Sequence, residues 1–375
     1  MHIERLTLQQ FRNYTSQEIS FHPRLNVLTG ENAQGKTNVL EAVYYLAVGK
    51  SHRTNKDADL IQHGQTAAQL QAVVRTGARE QRLVLQLRGS NKTARINGVA
   101  QSKMTDFIGR LQVVLFAPED LSLVKGAPSL RRRFIDIELG QSQPAYLYHL
   151  SQYTRTLQQR NALLKQFTHG SGDTDYLSVF DLPLAEHGAQ VWLRRQHFLL
   201  RLAELVGETY ATLSSSRERL TLNYECSLPG MDFFKNSLSL PALSESFQNV
   251  LSQKYSFDCR QGHTSIGPHR DDLLFFLDGQ DVQGYASQGQ QRTIALALRL
   301  AEIDLLQEET GEYPVLLLDD VLSELDNLRQ QNLVLAMSEK VQTILTTASP
   351  IQLPKAMTQQ ARLFEIRSGI IHEEG

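Results

Sequence analysis

Apolar positions in the first 29 residues fall in short runs of strand length. Ile3, Leu6 and Leu8 mark one strand, Ile19 and Phe21 a second, and Leu25, Val27 and Leu28 a third. The period then becomes helical: Val39, Leu40, Val43, Tyr44 and Leu46 predict a helix opening at Gly35-Lys36-Thr37. Residues 68–99 return to strands, with Asn97-Gly98 as a hairpin turn, and residues 113–116 read as a buried strand ended by Pro118. Near residue 120 the pattern shifts again. Residues 145–167 and 182–213 have helical spacing and flank a polar tip at 168–175, which predicts an antiparallel helical hairpin. Its heptads are too irregular for a long coiled coil. Further on, the chain predicts a strand at 220–224, a strand at 273–277 with a turn at Asp278-Gly279, and a strong helix over about 293–307. Core strands at 315–318 and 344–347 and a late edge strand at 363–366 follow. The fold class is α/β. Residues 1–120 and 255–375 form one lobe with a β-rich subdomain, and 121–254 form an inserted, mostly helical second domain.

The junction between the third strand and the first helix reads GENAQGKT, residues 30–37. Two glycines followed by Lys and Thr at this spacing are a P-loop. Glycines let backbone N–H groups turn toward phosphate oxygens, and the helix N-terminus adds partial positive charge. Lys36 is placed to reach β- and γ-phosphates, and the Thr37 hydroxyl to hold Mg²⁺. The expected nucleotide contacts run through Gly30, Glu31, Asn32, Ala33, Gln34, Gly35, Lys36, Thr37 and Asn38. Arg12 and Asn13, at the turn between the first two strands, are placed to fold over the nucleotide.

Downstream, an apolar strand ends in Asp319-Asp320, as a buried parallel strand does at its ligand-binding end. Asp319 is assigned to Mg²⁺ and Asp320 to the attacking water, with Lys36 completing the catalytic set. Ser287-Gln288-Gly289-Gln290-Gln291-Arg292 opens the later helix, with Ser287 as its cap and Gly289 leaving amides exposed. That makes a second anion cradle in a chain with a single P-loop. A dimer explains it economically: the Ser287 loop of one subunit closes on the γ-phosphate held by the other. Ser323, Glu324, Leu325 and Asp326 then lie near the seam.

Net charge is −2, but residues 1–110 carry 15 Lys and Arg against 8 Asp and Glu, and the remainder 23 against 32. The basic first third points to an anionic partner. Lys50, Arg53, Lys56, Arg131, Arg132 and Arg133 are the candidates for DNA phosphate contacts. Two cysteines without a CxxC, and no long apolar run, predict a reduced cytoplasmic compartment, no structural zinc and no membrane span.

FRNY near the start, GENAQGKTN, GPHRDD, ASQGQQR and LLLDDVLSELD together resemble the ATP-binding-cassette heads of the SMC family, and more closely the RecF family. The resemblance spans nearly the whole chain. It implies ATP and Mg²⁺ as cofactors, an ATP-dependent homodimer, and slow DNA-stimulated hydrolysis that releases the dimer. It further implies binding to double-stranded and gapped DNA, including single-strand/double-strand junctions. RecR, RecO and RecA are the implied partners, with RecA loading during replication-gap repair and the SOS response the implied task. Three departures from the general cassette pattern stand out: Asp320 replaces the usual Glu, Glu119 stands nearest the missing loop Gln, and Thr346-Thr347-Ala348 replace a switch His. Alternatives from other classes are a transporter-type cassette subunit and another SMC-like ATPase.

Overall fold

A computed structural model of the chain describes residues 1–167, 174–215, 217–235, 239–320, 340–348 and 361–374. It divides into two compact units, Met1–Asp120 with Glu302–Gly375, and Leu121–Ala301. The sequence places the return to the first lobe at residue 255. The division falls instead inside the later helix, because the strands at 220–281 pack with the helical unit.

The first unit holds two sheets. The antiparallel one has the order β2-β1-β4-β5-β6-β7, from β1 (His2–Phe11), β2 (Tyr14–Ser20), β4 (Ala67–Thr76), β5 (Arg79–Arg88), β6 (Asn91–Ile96) and β7 (Val99–Ala100). The other has the order β15-β14-β3-β13-β12-β8, from β3 (Leu25–Thr29), β8 (Val113–Phe116), β12 (Val315–Asp319), β13 (Thr343–Thr346), β14 (Ala361–Arg367) and β15 (Ile370–Glu374). Only β15 runs antiparallel. The strand expected at the edge, β14, lies inside the sheet between β3 and β15. Helix α1 (Lys36–Val48) packs against strands of both sheets and is buried from Val39 to Val48. That explains its weakly amphipathic sequence: a helix apolar all round belongs inside.

The second unit is built on α2 (Leu121–Lys125), α3 (Pro128–Ser142), α4 (Pro144–Phe167) and α5 (Ser178–Ser214). Helices α4 and α5 form the expected hairpin; residues 168–173 of its tip lie outside the described residues. A small antiparallel sheet, β11-β10-β9, follows from β9 (Leu220–Glu225), β10 (Asp272–Leu277) and β11 (Gln280–Asp281). Helices α6 (Leu240–Gln253), α7 (Tyr255–Gln261) and α8 (Val282–Tyr285) complete the unit, and α9 (Gln288–Thr310) starts in it. Among the described residues no helix is long and apolar enough to cross a membrane.

The GPHRDD stretch is an internal fastener of this unit rather than part of a nucleotide site. Asp271 Oδ2 accepts from Trp192 Nε1 at 2.5 Å and the Tyr224 hydroxyl at 2.9 Å, and Oδ1 accepts from the Ser227 N–H at 2.8 Å. Asp272 receives both Nε and Nη2 of Arg131 at 2.7 Å. Arg131 is only 2 % exposed. Its proposed contact with DNA is therefore corrected: burial and a bidentate carboxylate occupy it. Arg132 is half-buried, with Nη1 donating to the Asp271 carbonyl at 2.6 Å.

Removing one member of a buried pair strands the other charge. Arg131→Ala is expected to destabilise the protein by about 3–5 kcal/mol in urea unfolding. Arg131→Met with Asp272→Leu should recover most of that loss, because no lone charge remains.

Candidate nucleotide site

The β3–α1 junction carries the phosphate loop. Gly35 has φ 121°, and a Cβ there would lie 2.6 Å from Asn13 Nδ2 and 2.8 Å from the Tyr14 hydroxyl. No other residue fits that turn without displacing both. Gly35 also leaves α1 without a side-chain cap. The first helical N–H groups thus stay available to an anion. Lys36 Nζ donates to the Gly30 and Glu31 carbonyls at 2.5 and 2.8 Å. Burial lowers the Lys36 ammonium pKa, against the pull of Asp320 and Asp319. Glu31, Asn32 and Ala33 form the exposed rim, while Gln34, Thr37 and Asn38 are half-buried.

Asp319 closes the end of β12 against the loop. The Thr37 hydroxyl donates to Asp319 Oδ1 at 2.9 Å, and Thr346 Oγ1 donates to the same oxygen at 2.8 Å. The Asp320 N–H donates to Thr346 Oγ1 at 3.0 Å. Thr346 thus pins the Asp319 carboxylate and the Asp320 backbone from the next strand. Burial and the neighbouring Asp319 raise the Asp320 carboxyl above its ordinary value, while Lys36 opposes them. One hydroxyl and one carboxylate at hydrogen-bond distance suit Mg²⁺, which takes few protein oxygens and completes its shell with water and phosphate. Thr37 and Asp319 fit that ion; the described residues contain no cluster of three or more acidic, His or Cys ligands, nor does such an ion need one.

Glu41, one turn beyond Thr37 on α1, is fully buried and organises the back of the site. Arg12 Nε and Nη2 donate to its two oxygens at 2.8 and 2.7 Å, and Ser51 Oγ donates at 2.6 Å. Burial alone would raise this carboxyl, but the hydrogen bonds from Arg12 and Ser51 and the charges of Arg12 and Arg53 hold it below its ordinary range. Arg12 is therefore committed to Glu41, whereas Asn13 does reach the loop, donating from Nδ2 to the Gln34 carbonyl at 2.8 Å. Arg53 donates to Asn38 Oδ1 at 2.9 Å and lies 3.5 Å from Glu41. Lys50 and Lys56 are exposed. His52 sits edge-on to the Tyr44 ring, and burial lowers its pKa against the acids Glu41, Asp319 and Glu119.

The Ser287 loop, expected as a second anion cradle, belongs to the other unit. Ser287 Oγ accepts from the Gln290 N–H at 3.3 Å, and Gln290 Oε1 accepts from the Ser287 N–H at 2.7 Å. This reciprocal pair is a capping box. Gln290 Nε2 also donates to Glu218 at 2.6 Å, and Gln291 turns inward to the Ala286 carbonyl at 2.7 Å. Ser287, Gln288, Gly289 and Arg292 face outward, and Tyr285 just before them is 78 % exposed. Ser323, Glu324, Leu325 and Asp326 lie outside the described residues. Sequence reasoning did not single out Glu41, Glu218 or Tyr285, and saw at Thr346 only a missing histidine. Glu41 was legible as the lone acid in an apolar helix; the others depend on strand order or on contacts distant in sequence.

The model of the RecF/RecN/SMC N-terminal domain matches residues 2–372. DNA replication and repair protein RecF of Halalkalibacterium halodurans is 45 % identical over 375 residues, covering 100 % of both chains. That of Bacillus subtilis is 44 % identical over 374 residues, covering 99 % of this chain and 100 % of its own. A solved structure of the recombination mediator RecF with ATP, of the RecFOR pathway, superposes with TM-score 0.91 at 32 % identity, covering 100 % of this chain and 98 % of that one. An Smc head bound to the C-terminal winged-helix domain of ScpA shares the fold, with TM-score 0.55 at 16 % identity, covering 100 % of this chain and 97 % of that one. The chain belongs to the RecF family.

Proposed function

We propose that this chain is an ATP-gated DNA-binding protein of replication-gap repair, in which two copies enclose each ATP. The observation that carries this reading is the exposed capping box at Ser287, a second helix N-terminus built apart from the phosphate loop. A lone P-loop binds phosphate without it. A γ-phosphate shared between a P-loop and the partner's Ser287 makes ATP the link between subunits, which ADP cannot supply. The RecF relatives and the ATP-bound RecF structure support this reading.

On this reading the loop amides and Lys36 bind the triphosphate, and Thr37 and Asp319 hold Mg²⁺, which neutralises phosphate charge when bound. Asp320 orients and deprotonates the attacking water. Its short side chain suits a slow timer rather than a motor. Lys50, Arg53 and Lys56 contribute phosphate contacts to duplex and gapped DNA, and RecO, RecR and RecA are the partners in recombinase loading.

ATP-Mg²⁺, and not ADP, should shift the protein from monomer to dimer in sedimentation; Ser287→Arg should abolish the shift while nucleotide still binds. Asp320→Asn should keep the ATP-dependent dimer and lose turnover. In the unaltered protein, turnover should fall on acidification as the Asp320 carboxyl, raised above its ordinary value by burial and by Asp319, takes up its proton. DNA affinity should drop by orders of magnitude between about 50 and 200 mM salt; a flat response would count against phosphate contacts.

A further inference from the structure

The phosphate loop has a back as well as a front. The β14–β15 connection is a two-residue turn, with Arg367 paired to Ile370 and both Ser368 and Gly369 at positive φ, 50° and 75°. Such a turn leaves its two central N–H groups pointing away from the hairpin. Here both are aimed at one residue of the loop. The Ser368 N–H donates to Gln34 Oε1 at 2.5 Å, and the Gly369 N–H donates to the Gln34 carbonyl at 3.2 Å. The same carbonyl receives Asn13 Nδ2 at 2.8 Å from the β1–β2 turn. Asn13 is itself fixed, because its Oδ1 accepts from Asn38 Nδ2 at 2.8 Å. The fit is close: a Cβ on Gly369 would lie 2.6 Å from the Asn13 carbonyl oxygen, and one on Gly30 would lie 2.4 Å from the Ile366 carbonyl oxygen.

Gln34 thus has its side-chain oxygen and its backbone carbonyl held from behind by two hairpin turns, one from each sheet of this unit. A carbonyl fixed on that side fixes the peptide plane it belongs to. The next N–H, that of Gly35, then keeps the direction an anion requires. A loop ordered in advance binds without the cost of ordering it at the moment of contact.

We propose that the β14–β15 turn, with Asn13, positions the phosphate loop through Gln34 and sets how tightly the chain binds a nucleoside triphosphate. Gln34 is a positioning residue here, with its side-chain oxygen and backbone carbonyl held in the clamp. This inference rests on the nucleotide-binding reading for its ligand but concerns the loop's order in the protein alone.

The test uses the full chain and three variants: Gln34→Met removes the acceptor at nearly constant volume, Asn13→Asp removes the donor but keeps the acceptor for Asn38, and Gln34→Glu restores the acceptor. Hydrogen exchange over residues 30–38 of the ligand-free protein is measured beside the affinity for ATP-Mg²⁺. Gln34→Met and Asn13→Asp should each speed loop exchange and weaken ATP binding roughly tenfold, with the ligand-free melting temperature held within about 2 °C. Gln34→Glu should restore most of the protection. Wild-type exchange in both of the first two variants overturns the proposal. If the unaltered protein fails to bind ATP, the nucleotide reading falls, and the exchange rates alone decide whether the clamp positions the loop.

Discussion

A single buried carboxylate oxygen ties the site together. Asp319 Oδ1 accepts from Thr37 at the head of α1 and from Thr346 at the end of β13. Those residues are remote in sequence, and only the order β3-β13-β12 makes them neighbours. The bond from Thr37 fixes the angle at which α1 leaves the sheet, and with it the direction of the first helical N–H groups. The bond from Thr346 fixes the carboxylate itself, since the same threonine oxygen also receives the Asp320 N–H. A group that accepts two hydroxyls in a buried place has no cheap alternative conformation.

Electrostatics build outward from that point. Lys36 lies among Asp319, Asp320 and the loop carbonyls, where burial works against its charge and the two acids favour it. The site therefore carries the buried Asp319 and Lys36 beside the exposed Asp320, a charge balance that an arriving Mg²⁺ and triphosphate alter together. One turn along α1 the opposite sign is handled separately. Glu41 is neutralised by Arg12 and solvated by Ser51, so its charge is spent locally. This separation explains why Arg12, basic and at the turn between β1 and β2, bonds to Glu41 and the Asp59 carbonyl.

Most of the secondary structure was legible because its signals are local. Two-residue turns such as Asn97-Gly98 and Asp278-Gly279 adopt the positive φ their composition demands. The long helices follow their apolar spacing, and Pro183 interrupts neither the pattern nor α5. The phosphate loop, Asp319 and Ser287 were legible because each sits at a junction whose type the sequence declares. What could not be read depends on partners far apart. Arg131 belongs to a run of three arginines, which reads as a basic patch, yet the first of them is drawn inside by Asp272, 141 residues later. GPHRDD looks like site chemistry because it is polar and compact. Its carboxylates are in fact the acceptors that let Trp192, Tyr224 and Arg131 be buried without orphaned donors. The place of β14 inside the sheet is likewise a matter of strand order, which periodicity does not carry.

The two helix N-termini differ in how their free N–H groups are treated, and the difference matches the two kinds of contact proposed for them. Helix α1 starts at a glycine with no side-chain cap, so nothing in its own sequence competes with an anion. It serves a ligand the loop must surround. Helix α9 is already satisfied in part: Ser287 accepts from the Gln290 N–H and Gln290 returns the bond. The Ser287 hydroxyl accepts in that arrangement, so its own proton stays free to donate outward. The N–H groups of Gln288 and Gly289 precede the first helical hydrogen bond, which runs from Gln291 to the Ser287 carbonyl at 3.0 Å. A self-capped terminus of this kind is stable without a ligand and needs no rearrangement to meet one. Glu218 adds to that stability by holding Gln290 from β9's approach and taking the Tyr210 hydroxyl on its other oxygen. In the proposed dimer, such a cap keeps the Ser287 surface complete before its partner arrives and available once the partner leaves.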